Sequence, residues 1–127
     1  MRLALDTNTY RLIMEGDPDA VHLVRRAEQV LMPVPVLAEL RFGFLSGTRG
    51  RENEAFLVRF LDRARVVVLS CDEETAERFA TLKLQLKRQG TPIPIHDVWI
   101  AALVLQHGAT LFTKDSDFAR IPQLPRV

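Results

Sequence analysis

The sequence is poor in the features that mark secreted and membrane-inserted proteins. It contains one cysteine, Cys71, among 127 residues. A single cysteine cannot form an internal disulfide and is typical of a reducing compartment. No apolar run approaches the roughly 18 to 20 residues that a membrane-spanning helix needs, and the first residues carry no signal-peptide pattern. We therefore expect a cytoplasmic protein without a membrane segment.

Other absences argue against whole classes of protein. The net charge is only +1, from 17 Lys and Arg against 16 Asp and Glu, whereas a protein that coats nucleic acid indiscriminately is strongly basic. The three histidines lack metal-ligand spacing, which argues against a zinc site. The segment 47–50 lacks the lysine and hydroxyl of a P-loop. Asn8 and Ser70 stand where a dehalogenase-like phosphotransferase and a receiver domain would each need aspartate.

Short apolar segments alternate with helical patterns along the chain. Segments of strand length lie at 3–5, 30–32, 66–69 and 110–113. A helix is predicted to start at 6–8, directly after the first strand. Further helices are predicted from 17 onward, from 35 to about 47, around 56–61, from 72 to about 89, and as a last short turn at 115. The segment 97–106 has no polar face, which is typical of a buried helix. We predict a single α/β domain over residues 1–127, with a short central parallel sheet flanked by helices on both faces.

Four acidic residues stand where this fold would place a site. Asp6 and Asp115 follow the first and fourth predicted strands, and parallel sheets bind ligands beyond the carboxyl ends of their strands. Glu39 flanks the apolar stripe of its helix, and Asp97 begins the apolar helix. Each has an ordinary alternative, because aspartates cap helices and Glu39 could turn to solvent or pair with Arg41. Together they offer oxygen ligands without histidine or cysteine, a set that suits Mg²⁺ or Mn²⁺.

Four motifs, in this order and at this spacing, resemble those of a known family. They are Asp6-Thr7-Asn8, Leu37-Ala38-Glu39-Leu40 followed by Phe42-Gly43, Ile93-Pro94-Ile95-His96-Asp97 running into Ile100-Ala101-Ala102, and Thr113-Lys114-Asp115-Ser116-Asp117-Phe118. The whole chain resembles the PIN-domain ribonucleases, specifically the VapC-type toxins of bacterial and archaeal toxin–antitoxin modules. The resemblance implies a PIN-like domain with endoribonuclease activity, one or two bound Mg²⁺ or Mn²⁺ ions, a cognate antitoxin and a homodimer.

The resemblance also implies roles for the four acids. Asp6 and Asp97 match the two most consistent metal ligands of the family, and Glu39 and Asp115 match its other two acids. The bound metal would activate water and neutralise charge on the scissile phosphate, while Glu39 would hold a second metal or orient the water. Hydrolysis would then leave 5′-phosphate and 3′-hydroxyl ends without a side-chain nucleophile.

Further residues are expected to support these acids. Thr113 matches a hydroxyl position of the family at the end of the fourth strand, and together with Asn8 and His96 it would hold the ligands by hydrogen bonds. His96 stands where the family often has Asn, which would make activity more sensitive to pH. Asp117 is interpreted as a cap of the last helical turn.

Two expectations concern the helices between 35 and 65. Arg41, Arg49 and Arg51 are candidate contacts to RNA phosphates, although a solvated helix face explains such arginines more simply. The same helices carry more large apolar residues than a small domain hides on one side, so we expect a two-fold dimer. These residues are Phe42, Phe44, Leu45, Phe56, Leu57, Phe60 and Leu61. The competing hypothesis for the whole chain is a catalytically silent RNA-binding or scaffold domain, which would be expected to have lost some of the acids.

Overall fold

A computed structural model describes residues 1–127 and contains one four-stranded sheet, in which all paired strands are parallel. The strands are β1 (Arg2–Leu5), β2 (Gln29–Pro33), β3 (Val66–Leu69) and β4 (Thr110–Phe112), in the spatial order β3-β2-β1-β4. The helices are α1 (Thr7–Met14), α2 (Pro18–Arg26), α3 (Val34–Ser46), α4 (Gly50–Leu61), α5 (Glu73–Gln89) and α6 (Ile95–Gln106), followed by a 3-10 helix at Ser116–Arg120. The predicted α/β fold with a central parallel sheet is confirmed.

The centre of the sheet is covered on both faces. Leu3, Ala4 and Leu5 of β1 point alternately to opposite sides, and none of the three has any exposed surface. Burial on both sides requires helices on both faces of the sheet, as the apolar strand segments predicted. β3 lies at one edge, where Val67 and Val68 remain partly exposed.

α6 is the most buried helix, and it packs against α3, α5, β2 and β4. It begins at Ile95, two residues before the predicted start, because the extended backbone of Pro94 leads directly into the first turn. Asp97 is therefore the third residue of the helix, and its side chain makes no capping hydrogen bond. None of the helices, α6 included, is both long and apolar enough to cross a membrane.

The end of β4 differs from the prediction by one residue. The strand stops at Phe112, so Thr113 lies just beyond it. Residues 125–127 run alongside β4, and the Thr113 N–H donates to the Val127 carbonyl oxygen at 3.3 Å. The backbone of Thr113 is thus held although the residue lies outside the regular strand.

The connection between α3 and α4 is tight. A Cβ atom on Gly50 would lie 2.4 Å from the Phe44 carbonyl oxygen, so the first residue of α4 can only be glycine. This close approach fixes α4 against α3 and leaves an open cleft of about 1330 Å³ between their outer faces.

Candidate active site

Asp6 joins β1 to α1 and uses its two carboxylate oxygens differently. Its Oδ1 accepts the Thr9 N–H at 2.9 Å and caps α1. Its Oδ2 accepts the Thr113 hydroxyl at 2.5 Å. Since β1 and β4 are neighbours in the sheet, the strand order itself brings Asp6 next to the segment that follows β4. Capping of α1 therefore occupies only one of the two oxygens of Asp6.

The Thr113 hydroxyl links Asp6 to Asp115. It donates to Asp6 and accepts the backbone N–H of Asp115 at 3.0 Å. Asp115 in turn caps the 3-10 helix, because its Oδ1 accepts the Asp117 N–H at 2.9 Å. Asp6 and Asp115 thus both cap a helix, as the ordinary interpretation predicted, and both also lie at the carboxyl edge of the sheet.

Three carboxylates meet at this edge. Asp97, Asp115 and Asp117 each have a carboxylate oxygen within 4.8 Å of the others, and all three side chains are half-buried. The interpretation of Asp117 as a cap was wrong. The 3-10 helix begins at Ser116, so the capping position falls on Asp115, and Asp117 lies in the first turn with its carboxylate in the cluster. The sequence signal for Asp117 was its separation from Asp115 by a single residue.

The environment of Asp97 opposes its ionisation. Burial has the largest effect, and the Asp115 carboxylate adds to it; His96 counteracts them in part, and Asp117 and Glu39 contribute least. The result is a pKa raised from 3.8 to about 6. A half-buried carboxylate among like charges is stabilised by a cation, so the oxygen ligands gathered here fit Mg²⁺ or Mn²⁺.

Glu39 reaches the same edge from α3. Its Oε2 lies 2.9 Å from Nε2 of His96, outside hydrogen-bond alignment, so the contact is electrostatic and strengthens when His96 is protonated. Glu39 is exposed and does not pair with Arg41. Arg41 instead donates to Glu54 of α4 at 2.8 Å.

Not all predicted residues come together. The Asn8 side chain is exposed and makes no hydrogen bond, and Thr9 contacts Asp6 in its place. The sequence signal for Thr9 was the spacing of a capping box, an aspartate followed three residues later by a hydroxyl residue.

The three arginines predicted to contact RNA line the cleft between α3 and α4. None of the acidic residues at the carboxyl edge of the sheet lines this cleft. Arg41 follows Glu39 by two residues, which places it about 200° around the same helix. Arg49 also pairs with Glu52, at 3.3 Å.

Comparison with known proteins identifies the family to which the chain is similar. The PIN domain family matches residues 3–124. Ribonuclease VapC4 of Mycobacterium tuberculosis is 33% identical over 91 residues, covering 72% of this chain and 70% of that protein. Ribonuclease VapC2 of Rickettsia felis is 28% identical over 125 residues, covering 94% and 92%. The solved structure of VapBC-1 from nontypeable Haemophilus influenzae matches with a TM-score of 0.88 at 27% identity, over 100% of this chain and 97% of that one.

The chain, which has a parallel sheet with an acidic cluster at its carboxyl edge, thus belongs to the PIN domain family. Within that family it belongs to the VapC ribonucleases.

The raised pKa of Asp97 predicts a pH-dependent gain in stability for Asp97→Asn. The pKa of Asp97 is higher in the folded protein than in the unfolded chain. Ionisation of Asp97 therefore lowers the stability of the fold as the pH rises from 3.8 to about 6, and the full loss is present above about pH 6. At about pH 8 in EDTA, we expect the free energy of unfolding of the variant to exceed that of the parent by on the order of 1 kcal/mol, so that the variant unfolds at a higher temperature. The gain is small because solvent screens the half-exposed site. The gain should vanish at about pH 4.

Thermal unfolding at the two pH values measures this difference, and Glu77→Gln on the surface of α5 is the control for a lost negative charge. A variant less stable than the parent at both pH values would show that Asp97 has a structural role instead.

Proposed function

We propose that this chain is a Mg²⁺-dependent endoribonuclease, with Mn²⁺ as an effective substitute, and that it acts in the cytoplasm as the toxin of a VapBC-type toxin–antitoxin system. The observation that carries the proposal is the arrangement of acids from four parts of the chain at one edge of the sheet. These acids are Asp6, Glu39, Asp97, Asp115 and Asp117. Carboxylates that lie close together repel one another, and this repulsion destabilises the protein unless a bound cation compensates it.

Asp97, Asp115 and the Oδ2 atom of Asp6 are the proposed metal ligands, and Asp117 extends the set. Bound there, Mg²⁺ would lower the pKa of a coordinated water and neutralise charge on the scissile phosphate. Thr113 holds Asp6 and Asp115 at a fixed separation through its hydroxyl, which is how an outer hydrogen bond orients a ligand.

Glu39 is the proposed residue that orients the attacking water and accepts its proton, or else ligates a second ion. It is more exposed than the other acids and therefore open to solvent and substrate. His96 faces its carboxylate and restricts its position. Attack opposite the 3′-oxygen would leave 5′-phosphate and 3′-hydroxyl ends.

The proposed partner is a cognate antitoxin. Structures similar to this chain are described as VapBC-1 from nontypeable Haemophilus influenzae and as VapBC2 from Rickettsia felis bound to a DNA fragment from their promoter. We propose that the antitoxin of this chain covers the acidic edge and places a basic side chain among the carboxylates, where a cation is favoured.

RNA cleavage should require a divalent cation. We expect the purified protein to cut RNA with Mg²⁺ or Mn²⁺, to lose all activity in EDTA, and to keep it with a zinc-selective chelator. Mapping the cleaved ends on total cellular RNA measures both the activity and the end chemistry. Full activity in EDTA would contradict the mechanism, and RNA binding without any cleavage would favour the catalytically silent RNA-binding domain.

Toxicity should depend on Asp6 beyond its role as a cap. Expression of the chain alone should arrest bacterial growth, and Asp6→Asn should relieve the arrest at equal protein level because it removes a charged ligand while preserving the capping oxygen. Asp72→Asn is the matched control. Asp72 forms an equivalent capping box with Thr75 at the start of α5, and Gln106, at the opposite end of α6 from Asp97, donates to it. Growth arrest by Asp6→Asn equal to that of the parent would make the toxicity non-catalytic.

The chain should form a homodimer through α3. Leu57 and Phe60 of the predicted apolar set are buried in the core, but Phe42 is 72% and Leu45 is 88% exposed. Large apolar side chains exposed to that degree favour contact with a second copy. Sedimentation at micromolar concentration should show a dimer that Leu45→Lys dissociates, whereas Leu84→Lys, a partly exposed position on α5, should not. A monomeric parent would contradict the proposal.

A further inference from the structure

Arg11 is a cation near the acidic edge that has no partner. It lies in the last turn of α1, its side chain is exposed, and it forms neither an ion pair nor a side-chain hydrogen bond. Among the other arginines near α4, Arg41 and Arg49 pair with glutamates and Arg59 stacks on Phe56. Arg51 also has no partner, but it lines the cleft between α3 and α4. All the donors of the Arg11 guanidinium therefore remain free for a ligand.

Gly43 of α3 makes room for this guanidinium. A Cβ atom at position 43 would lie 3.3 Å from Nη2 of Arg11, closer than an ordinary contact. The backbone of Gly43 is ordinary helix and does not itself need glycine. Glycine inside a helix is less favourable than alanine. The Arg11 guanidinium is the group that a Cβ atom at this position would meet.

The position of Gly43 places the guanidinium about one helical turn from Glu39. Gly43 follows Glu39 by four residues, so the two share one face of α3 and lie one turn apart. Arg11 itself follows Asp6 by five residues, or about 7.5 Å along α1. From Arg11 a groove continues between α1 and α4, lined by the rings of Phe44 and Phe56, by Asn53, by the Arg49–Glu52 ion pair and by Glu15. The two rings offer stacking surfaces for the bases of a single strand, and Arg11 is the arginine of this groove that has no acidic partner.

We propose that Arg11 binds a phosphate of the RNA strand next to the acidic cluster, and that Gly43 allows the guanidinium to take that position. The inference rests on the proposed function and names a substrate contact for it. Carboxylates repel a polyanion, so a strand that reaches them needs a cation close by, and Arg11 is the unpaired one beside Glu39. Its planar fork matches two oxygens of one phosphate.

The test is equilibrium binding of a short fluorescein-labelled single-stranded RNA, measured by anisotropy in EDTA at several salt concentrations. Arg11→Gln should weaken binding about tenfold and reduce the salt slope by about 0.7, the value for one lost phosphate contact. Arg11→Lys should restore part of the affinity and the full slope. Arg25→Gln, an unpaired arginine on α2, should change neither. With Mg²⁺ present, Arg11→Gln should raise KM more than it lowers kcat.

Gly43→Ala separates this role from a structural one. Alanine should raise the melting temperature of the protein because it favours the helix, and at the same time weaken RNA binding because it pushes the guanidinium aside. In the Arg11→Gln background the same substitution should have no further effect on binding. Unchanged RNA binding by both single variants, with the parent binding RNA, would overturn this proposal alone. A parent that neither binds nor cuts RNA would overturn the proposed function and this inference with it.

Discussion

The close approach of the Asp97, Asp115 and Asp117 carboxylates is the unfavourable interaction that the surrounding structure has to hold in place. Like charges move apart unless the chain holds them, and here each is held by rigid structure. Asp6 is fixed by capping α1, Asp115 by capping the 3-10 helix, and Asp97 by the first turn of the most buried helix. The Thr113 hydroxyl then joins two of these anchors. Stability supplied by ordinary capping and core packing is what keeps the unfavourable cluster assembled.

The fold and part of the site could be predicted because they depend on local patterns. Apolar strand segments alternating with helices specify a parallel sheet with both faces covered, and Asp6 and Asp115 follow strands of that sheet. The predicted start of α6 is two residues late because a proline is compatible both with a connector and with the position before a helix. The prediction for Asp117 is wrong because the helical turn begins earlier than a cap at that position requires, so the capping position falls on Asp115, two residues before Asp117.

Other parts of the site depend on contacts between distant elements, which the sequence pattern does not encode. Asp6 and Asp72 begin capping boxes of the same form, with threonine three residues on, yet Thr113 meets Asp6 and Gln106 meets Asp72. Hydrogen bonds, above all from the Thr75 backbone, lower the pKa of Asp72, whereas burial and like charge raise that of Asp97. The contact of Arg11 with Gly43 likewise joins two helices and has no local signature.

The separate anchoring of the acids has an evolutionary consequence. Replacing Asp6 touches a helix cap as well as the acidic edge, so loss of that carboxylate is felt by the fold. The Asp97 side chain makes no capping hydrogen bond, and its negative charge destabilises the folded chain. Under the proposed mechanism, a substitution at position 97 would therefore remove the activity and retain a well-folded protein. Such a protein would still bind the antitoxin that restrains active copies, and would affect the cell by sequestering that antitoxin.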